Sequence, residues 1–227
     1  MSELADEFAA LGVATVYEAS GRQGLIDIPL IQVVPGSRAA GRARIAACGQ
    51  GDNQTVHTTL PHTRPGDVLV LTMPRPEPVA LLGELLATQA KRRGVAAVLV
   101  DGAVRDVEEL RELGLPVWAR YVRVAGADKR QAGAIDVPVR VGGATIRPGD
   151  LVVLDADGAV VVAAERAEEV LRAARARVER EAGLRARFEA GELSRDIYGL
   201  TGPQPGAGPA PHAEPAPAAT GSMEGAA

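Results

Sequence analysis

Val95-Ala-Ala-Val-Leu-Val100 is the stretch that most limits what this chain can fold into. A short unbroken apolar run needs cover on both faces of its pleat, so it reads as a buried strand. It gives way to Asp101-Gly102, a dipeptide suited to a turn, and four residues after Asp101 an arginine and an aspartate stand side by side. Val107-Glu-Glu-Leu-Arg-Glu-Leu113 follows with the apolar spacing of a helix. Arg105 and Asp106 therefore fall at the carboxyl end of a strand, where open α/β sheets tend to place their ligands.

The flanking sequence alternates between helical and strand patterns. Leu4, Phe8, Leu11, Val13 and Val16 predict two short helices over residues 3–20, interrupted at Gly12, the second over 14–20 and closed by Gly21. Residues 25–31 lead through Pro35-Gly36 into 40–47, where small apolar residues alternate with arginine as in a half-exposed strand. Gly49-Gln-Gly-Asp52 is a polar turn, with a short helix through His57 to Leu60 after it. Arg64-Pro-Gly-Asp-Val-Leu-Val-Leu71 predicts a turn into a strand, and nearly the same octet returns as Arg147-Pro-Gly-Asp-Leu-Val-Val-Leu154. Proline presets such a turn and glycine allows its positive dihedral. A helix starting between Pro78 and Gly83 and running to Arg93 carries Leu82, Leu85, Leu86 and Ala90 as its apolar stripe, with Gly94 as its carboxyl cap. Further strands are expected over 115–121 and 137–141, then a hairpin over 151–163 turning at Asp155 to Gly158, then a long charged helix over 164–190.

From Thr201 onward, 19 of 27 residues are Ala, Gly or Pro. Such a composition cannot offset its chain entropy by burial, so a disordered tail is expected over 201–227. The rest predicts an α/β fold: one layered domain over 1–200 with a β-rich centre and flanking helices. No G-x-G-x-x-G or P-loop pattern supports a doubly wound nucleotide fold, and none supports a methyltransferase.

Composition removes several classes of function. Aromatics are 3% of the chain and its net charge is -4, so neither stacking platforms nor a basic surface for nucleic acid is expected. Cys48 is the only cysteine, and His57, His62 and His212 are the only histidines, which makes a nitrogen-and-sulfur zinc site improbable. A bound metal would be held by carboxylates and water, as magnesium and manganese are. The acidic start Ser2-Glu-Leu-Ala-Asp-Glu7 does not resemble a signal peptide, and no apolar run is long enough to span a bilayer. A cytoplasmic protein without a membrane partner is expected.

Arg105 could bind a carboxylate through its rigid fork, and Asp106 could hold a hydrated divalent cation. Asp106 followed by Glu109 is equally a capping-box pattern opening the helix at Val107. A helix beginning at Gly83 would leave N–H groups of Gly83-Glu-Leu-Leu86 free for an anion, with Glu84 reaching a metal or its water. Alternatively, Gly83 serves close packing inside a longer helix and Glu84 is a solvated helix residue. His57 and His62 are conceivable bases. Cys48 reads as a small buried hydrophobe.

An acidic residue at 84, twenty intervening residues and Arg-Asp at 105 and 106 resemble the D-x20-R-D pattern of the class II pyruvate aldolases. Those enzymes act on 4-hydroxy-4-methyl-2-oxoglutarate and 4-carboxy-4-hydroxy-2-oxoadipate, and belong to the superfamily of the regulator of ribonuclease activity A. The resemblance covers about residues 10–200. It includes Ala14-Thr-Val-Tyr-Glu-Ala19, Arg64-Pro-Gly-Asp67, Gly83-Glu-Leu-Leu86, Gly94-Val95, Asp101-Gly-Ala-Val-Arg-Asp106 and Pro148-Gly-Asp150. Glu84 departs from it, since the aldolases have aspartate there, and sets the carboxylate one methylene farther out.

The resemblance implies a β/β/α fold of that superfamily and a lyase that releases pyruvate through an enolate, of the kind used in degrading aromatic compounds. Oxaloacetate decarboxylation would be a side reaction. It implies a 2-oxo acid held by the backbone of Gly83, Glu84, Leu85 and Leu86 and by Arg105. It also implies magnesium or manganese on Asp106, with Glu84 reaching it through water. Glu18 is implied as the general base, supplied by a neighbouring subunit of a homotrimer or hexamer, with a glutamate near Glu179 or Glu181 assisting. The same superfamily contains ribonuclease regulators, so a non-catalytic binding protein is the alternative. Lys91 and Lys129, the only lysines, each neighbour an arginine and do not suggest a Schiff base.

Overall fold

A computed structural model describes residues 3–202, so the tail expected from Thr201 lies, beyond Gly202, outside the described residues. The chain divides into two compact units, one running to Ala182 and one from Gly183. The first unit opens with helices α1 (Glu3–Leu11) and α2 (Val13–Ala19), separated by Gly12 at φ +79°. Strands β1 (Ile31–Gln32) and β2 (Ala39–Ala47) follow, then α3 (Gln54–Thr59) and a 3-10 turn over Leu60–His62. Next come β3 (Val68–Thr72), β4 (Ala80–Leu82), α4 (Glu84–Arg92), β5 (Ala97–Val104), α5 (Val107–Leu113) and β6 (Val117–Val122). The short strands β7 (Ala134–Ile135), β8 (Val139–Val141) and β9 (Ala144–Ile146) precede the hairpin of β10 (Leu151–Asp155) and β11 (Gly158–Val162). Helix α6 (Ala167–Glu189) runs out of the first unit, and the second unit's described part ends with α7 (Ser194–Ile197).

The sheet order is β1-β6-β5-β3-β2-β10-β11, with β4 added to β5 and β7 to β2. Strands β2, β3, β5 and β6 run parallel, whereas β10, β11, β1 and β7 pair antiparallel to their neighbours. Leu86, Ala87 and Ala90 of α4 and Leu110 of α5 cover one face, against Leu69, Leu71, Val98 and Val100. Val141 and Ile146 of the separate β8–β9 ribbon cover the other, against Ile45, Val70, Leu99 and Trp118. Ribbon, sheet and helices thus form the layered α/β arrangement that the sequence predicts. A third cluster joins Phe8, Val16 and Val170 of α1, α2 and α6 to Val153 and Val160 of the hairpin.

Both Arg-Pro-Gly-Asp segments form the same turn. Gly66 and Gly149 have φ of +89° and +87°. In each, the aspartate accepts the arginine's N–H at 2.8 Å, Asp67 from Arg64 and Asp150 from Arg147.

Three expectations need correction. The strand β2 is not half-exposed: only Arg42 is exposed, because β3 and β10 flank it and α1 packs across it. Asp101-Gly102 is not a turn but the middle of β5. Arg120 pairs with the buried Asp101 carboxylate at 2.6 Å, and β4 supplies a new neighbour for Ala103 and Val104. Leu82 belongs to β4, not to the following helix, whose Leu85 is 75% exposed rather than part of an apolar stripe. Among the described residues no helix is long and apolar enough to cross a membrane.

Candidate active site

Strand β5 takes β3 as its neighbour along its first half and β4 along its second. Two parallel strands therefore end side by side, tied by a bond from Arg105 N–H to the Leu82 carbonyl at 3.1 Å. Each strand passes directly into a helix. The end of β4 gives Gly83 and the first turn of α4, and the end of β5 gives Arg105, Asp106 and α5. A cleft of about 150 Å³ opens at this junction, lined by Gly83, Leu85, Leu86, Arg105 and Asp106 among others.

Gly83 is the residue before α4, not part of its interior. The first intrahelical bond runs from Ala87 N–H to the Gly83 carbonyl at 3.1 Å. The N–H groups of Leu85 and Leu86 precede it and have no acceptor one turn back within the helix. They carry the partial positive charge of a helix N-terminus, and both residues line the cleft.

Asp106 does not cap the helix it precedes. Its backbone is left-handed at φ +61° and ψ +49°, and its side chain makes no capping bond to α5. This conformation, uncommon for any residue but glycine, asparagine and aspartate, turns the carboxylate towards α4 instead. There Asp106 Oδ2 accepts the Glu84 N–H at 3.0 Å and lies 3.5 Å from Arg105 Nε. The capping-box reading of Asp106 and Glu109 is therefore overturned by backbone geometry. The carboxylate caps the neighbouring helix across the sheet edge and remains partly exposed to the cleft.

Arg105 has an ion pair with Asp106 and, among the described residues, no other polar side-chain contact that fixes its fork, and its side chain is 48% exposed. Glu84 does not line the cleft with its side chain: its carboxylate accepts a bond from the Thr88 hydroxyl at 2.8 Å, along the helix. Glu18 lies elsewhere, on α2, which packs on β10 and β11, and faces Arg22 at 3.3 Å and Arg177 at 3.9 Å. Four strand positions separate β11 from β5, roughly 19 Å at ordinary strand spacing. Glu181 pairs with Arg177 at 2.8 Å, and Glu179 is exposed on α6. None of these three glutamates reaches the cleft of its own chain.

Residues that the sequence patterns did not bring to the cleft also line it, Asn53, His57, Gly126 and Lys129 among them. Backbone bonds between Asn53 N–H and Asp128 O, and between Asp128 N–H and Gly51 O, both 2.9 Å, join their two segments. Buried Asp52 reinforces the joint by accepting the N–H groups of Arg130 and Gln131. Burial first, and then the nearby Lys129 ammonium, hold the His57 imidazole below its ordinary pKa. Asn53 donates to the Leu81 carbonyl at 3.1 Å, while its Oδ1 is buried without a partner among the described residues. Scarcity was the one available signal, since Lys129 is one of two lysines and His57 one of three histidines. His62 does not line the cleft, and Cys48 is buried, which pushes its thiol up to about 12.

Among the described residues no three His, Cys, Asp or Glu gather as a metal cage. Asp106 alone suits a cation that keeps several waters, as magnesium and manganese do, and does not suit zinc or a fully caged calcium.

Fold and cleft together define an α/β protein with a cleft at the ends of two adjoining parallel strands. The chain belongs to the RraA-like family, described as Aldolase/RraA, whose model matches residues 2–161. It is 37% identical over 138 residues to a Halalkalibacterium halodurans protein provisionally named 4-hydroxy-4-methyl-2-oxoglutarate aldolase, covering 61% of this chain and 66% of that one. The chain thus spans about two thirds of that relative's length. Its fold is similar to that of an uncharacterized Pseudomonas syringae protein, with a TM-score of 0.75 at 27% identity over 86% of this chain and 96% of the other. It is also similar to Streptomyces coelicolor RraAS2, described as an unusual member of the RNase ES inhibitor RraA family. That match has a TM-score of 0.72 at 31% identity, covering 82% of this chain and 96% of the other.

Proposed function

We propose that this chain is a divalent-metal-dependent carbon–carbon lyase. It would release pyruvate from 4-hydroxy-4-methyl-2-oxoglutarate or a related 4-hydroxy-2-oxo acid such as 4-carboxy-4-hydroxy-2-oxoadipate. The observation that carries this reading is the half-exposed Arg105 fork beside the Asp106 carboxylate and the first turn of α4, all in one cleft. The name of the Halalkalibacterium relative supports the same substrate class.

In this reading the N–H groups of Leu85 and Leu86 and the Arg105 guanidinium hold the 2-oxo acid head. The guanidinium is aimed at the oxygen where negative charge grows as the carbon–carbon bond breaks. Lys129, on the opposite segment, offers a second cation to the substrate's distal carboxylate. Asp106 would hold magnesium or manganese, which supplies Lewis-acid stabilisation of that same charge. Thr88 keeps the Glu84 carboxylate on its helix, so Glu84 serves the site through its N–H to Asp106, and at most through a water-mediated contact to the metal. The proton of the 4-hydroxyl passes to a carboxylate from outside the chain's own cleft, Glu18 of a neighbouring copy in a trimer or pair of trimers. Oxaloacetate, which gives the same pyruvate enolate on losing carbon dioxide, is a second substrate.

A coupled assay of pyruvate release, with and without magnesium or manganese, tests this. Release should require the metal and should disappear in Asp106→Ala. Absence of metal-dependent release from every such acid, or an unchanged rate in Asp106→Ala, would overturn the proposal. The likeness, at 31% identity, to an unusual member of the RNase ES inhibitor RraA family favours one alternative, a binding protein without chemistry. Recovery of a ribonuclease in a pull-down, with no metal uptake by calorimetry, would establish that reading instead.

A further inference from the structure

We infer that Gly83 and Gly126 form a slot that leaves room for the Arg105 guanidinium in its observed place, making Gly126 a positioning residue for recognition of the 2-oxo acid. This inference rests on the function proposed above and assigns a role to a segment far from Arg105 in sequence. A Cβ built on Gly83 would stand 3.1 Å from Arg105 Nε and 3.2 Å from its Cγ, and would collide with Asp106 Oδ2. A Cβ built on Gly126 would stand 3.0 Å from Arg105 Nη1 and 4.0 Å from its Cζ. Two glycines on different segments thus lie against the stem and the tip of one side chain.

Neither glycine is required by its backbone. Gly83 is extended at φ -137°, and Gly126 lies outside the left-handed region. What the missing methyl groups provide is space for the arginine. Nor can the backbone retreat easily at Gly126. Ala80 N–H binds the Ala125 carbonyl at 2.7 Å, Gly126 bridges Ala80, and Asp128 is tied in both directions to Gly51 and Asn53. A methyl group added there must be accommodated by the guanidinium.

The slot supplies what the polar contacts do not. An arginine side chain loses much rotamer freedom when fixed, and among the described residues Arg105 has one ion pair, at 3.5 Å, to restrain it. The room left at Gly83 and Gly126 is where the guanidinium stands before a ligand arrives, and a methyl group at Gly126 would move it from that place.

The test is a cycle of Gly126→Ala with Arg105→Lys, since a lysine has no Nη1 to meet the new methyl. Pyruvate affinity with magnesium is measured by calorimetry, melting temperature by scanning calorimetry, and the guanidinium position by crystallography of Gly126→Ala. In the Arg105 background Gly126→Ala should weaken pyruvate roughly tenfold, a displacement effect, with the melting temperature unchanged. In the lysine background the same substitution should change affinity less than about twofold, because distinct sites add and coupled ones do not. Equal losses in both backgrounds would refute the slot, as would a crystal structure of Gly126→Ala with an unmoved guanidinium. If the parent protein does not bind pyruvate at all, the proposed function fails, and the crystallographic displacement alone decides the slot.

Discussion

At the scale of single residues, Asp106 is the position where conformation and chemistry meet. Its left-handed backbone directs one carboxylate oxygen to the Glu84 N–H and leaves the group facing the cleft. Asparagine tolerates that backbone and can still accept the Glu84 N–H. Asp106→Asn should therefore melt within about 2 °C of the parent while losing magnesium uptake in calorimetry. Asp106→Val, which fits neither requirement, should cost about 2 kcal/mol in urea unfolding. His57 gives an independent check on the cleft's charge. Burial is the larger cause of its depressed pKa and Lys129 the smaller, so Lys129→Met should move its titration, followed by NMR, upward but not past the ordinary histidine value. No upward movement would mean that the ammonium does not face the imidazole. Arg105 and Asp106 were legible as a pair because they are adjacent in the chain and follow a strand. Asn53 and Gly126 were not, since an isolated asparagine or glycine carries no pattern until folding gives it neighbours.

At the scale of elements, the repeated Arg-Pro-Gly-Asp segment was legible in full, because proline, glycine and aspartate act on their own backbone. Gly149 has open space around its Cα, so Gly149→Ala meets only the penalty of the positive dihedral, about 1 kcal/mol in a urea melt. The joint between α3 and the segment carrying Lys129 was not legible, because its bonds cross some 78 positions of sequence. Burial raises the Asp52 carboxyl, but bonds from Arg130, Gln54 and Gln131 N–H and the charge of Lys129 together outweigh it and hold it below the ordinary value. A carboxyl depressed in the folded state stabilises the fold above the unfolded pKa of about 3.9 and loses that contribution as pH falls through the folded value. The stability deficit of Asp52→Asn should therefore be largest near neutral pH and shrink below about pH 4. An equal deficit at both ends of that range would show that the ionised form contributes nothing.

At the scale of the whole molecule, the cleft carries Arg105 and Asp106 while Glu18 sits across the sheet on the hairpin side. A base from α2 can serve the cleft only from another copy. If the proposed site is shared between copies, mixing Glu18→Ala and Asp106→Ala, each inactive alone, after joint refolding should restore a measurable part of pyruvate release, since some sites then combine an intact Glu18 with an intact Asp106. No recovery, with mixed assemblies verified by native mass spectrometry, would rule out a shared site. The sequence by itself determined most helices, most strands, the two turns and the Arg105–Asp106 pair, because each is set by residues within a few positions of one another. It misjudged Asp101-Gly102, where local turn propensity gave way to pairing with β4 and to Arg120, partners that adjacency in the chain does not reveal. Only the tertiary structure decided which helix Asp106 caps, that the Glu84 carboxylate turns away from the cleft, and that Gly126 and Lys129 complete it. The physical reason is range: dihedral preference and side-chain period act over a turn or a strand, whereas a site is made where distant segments close on one another.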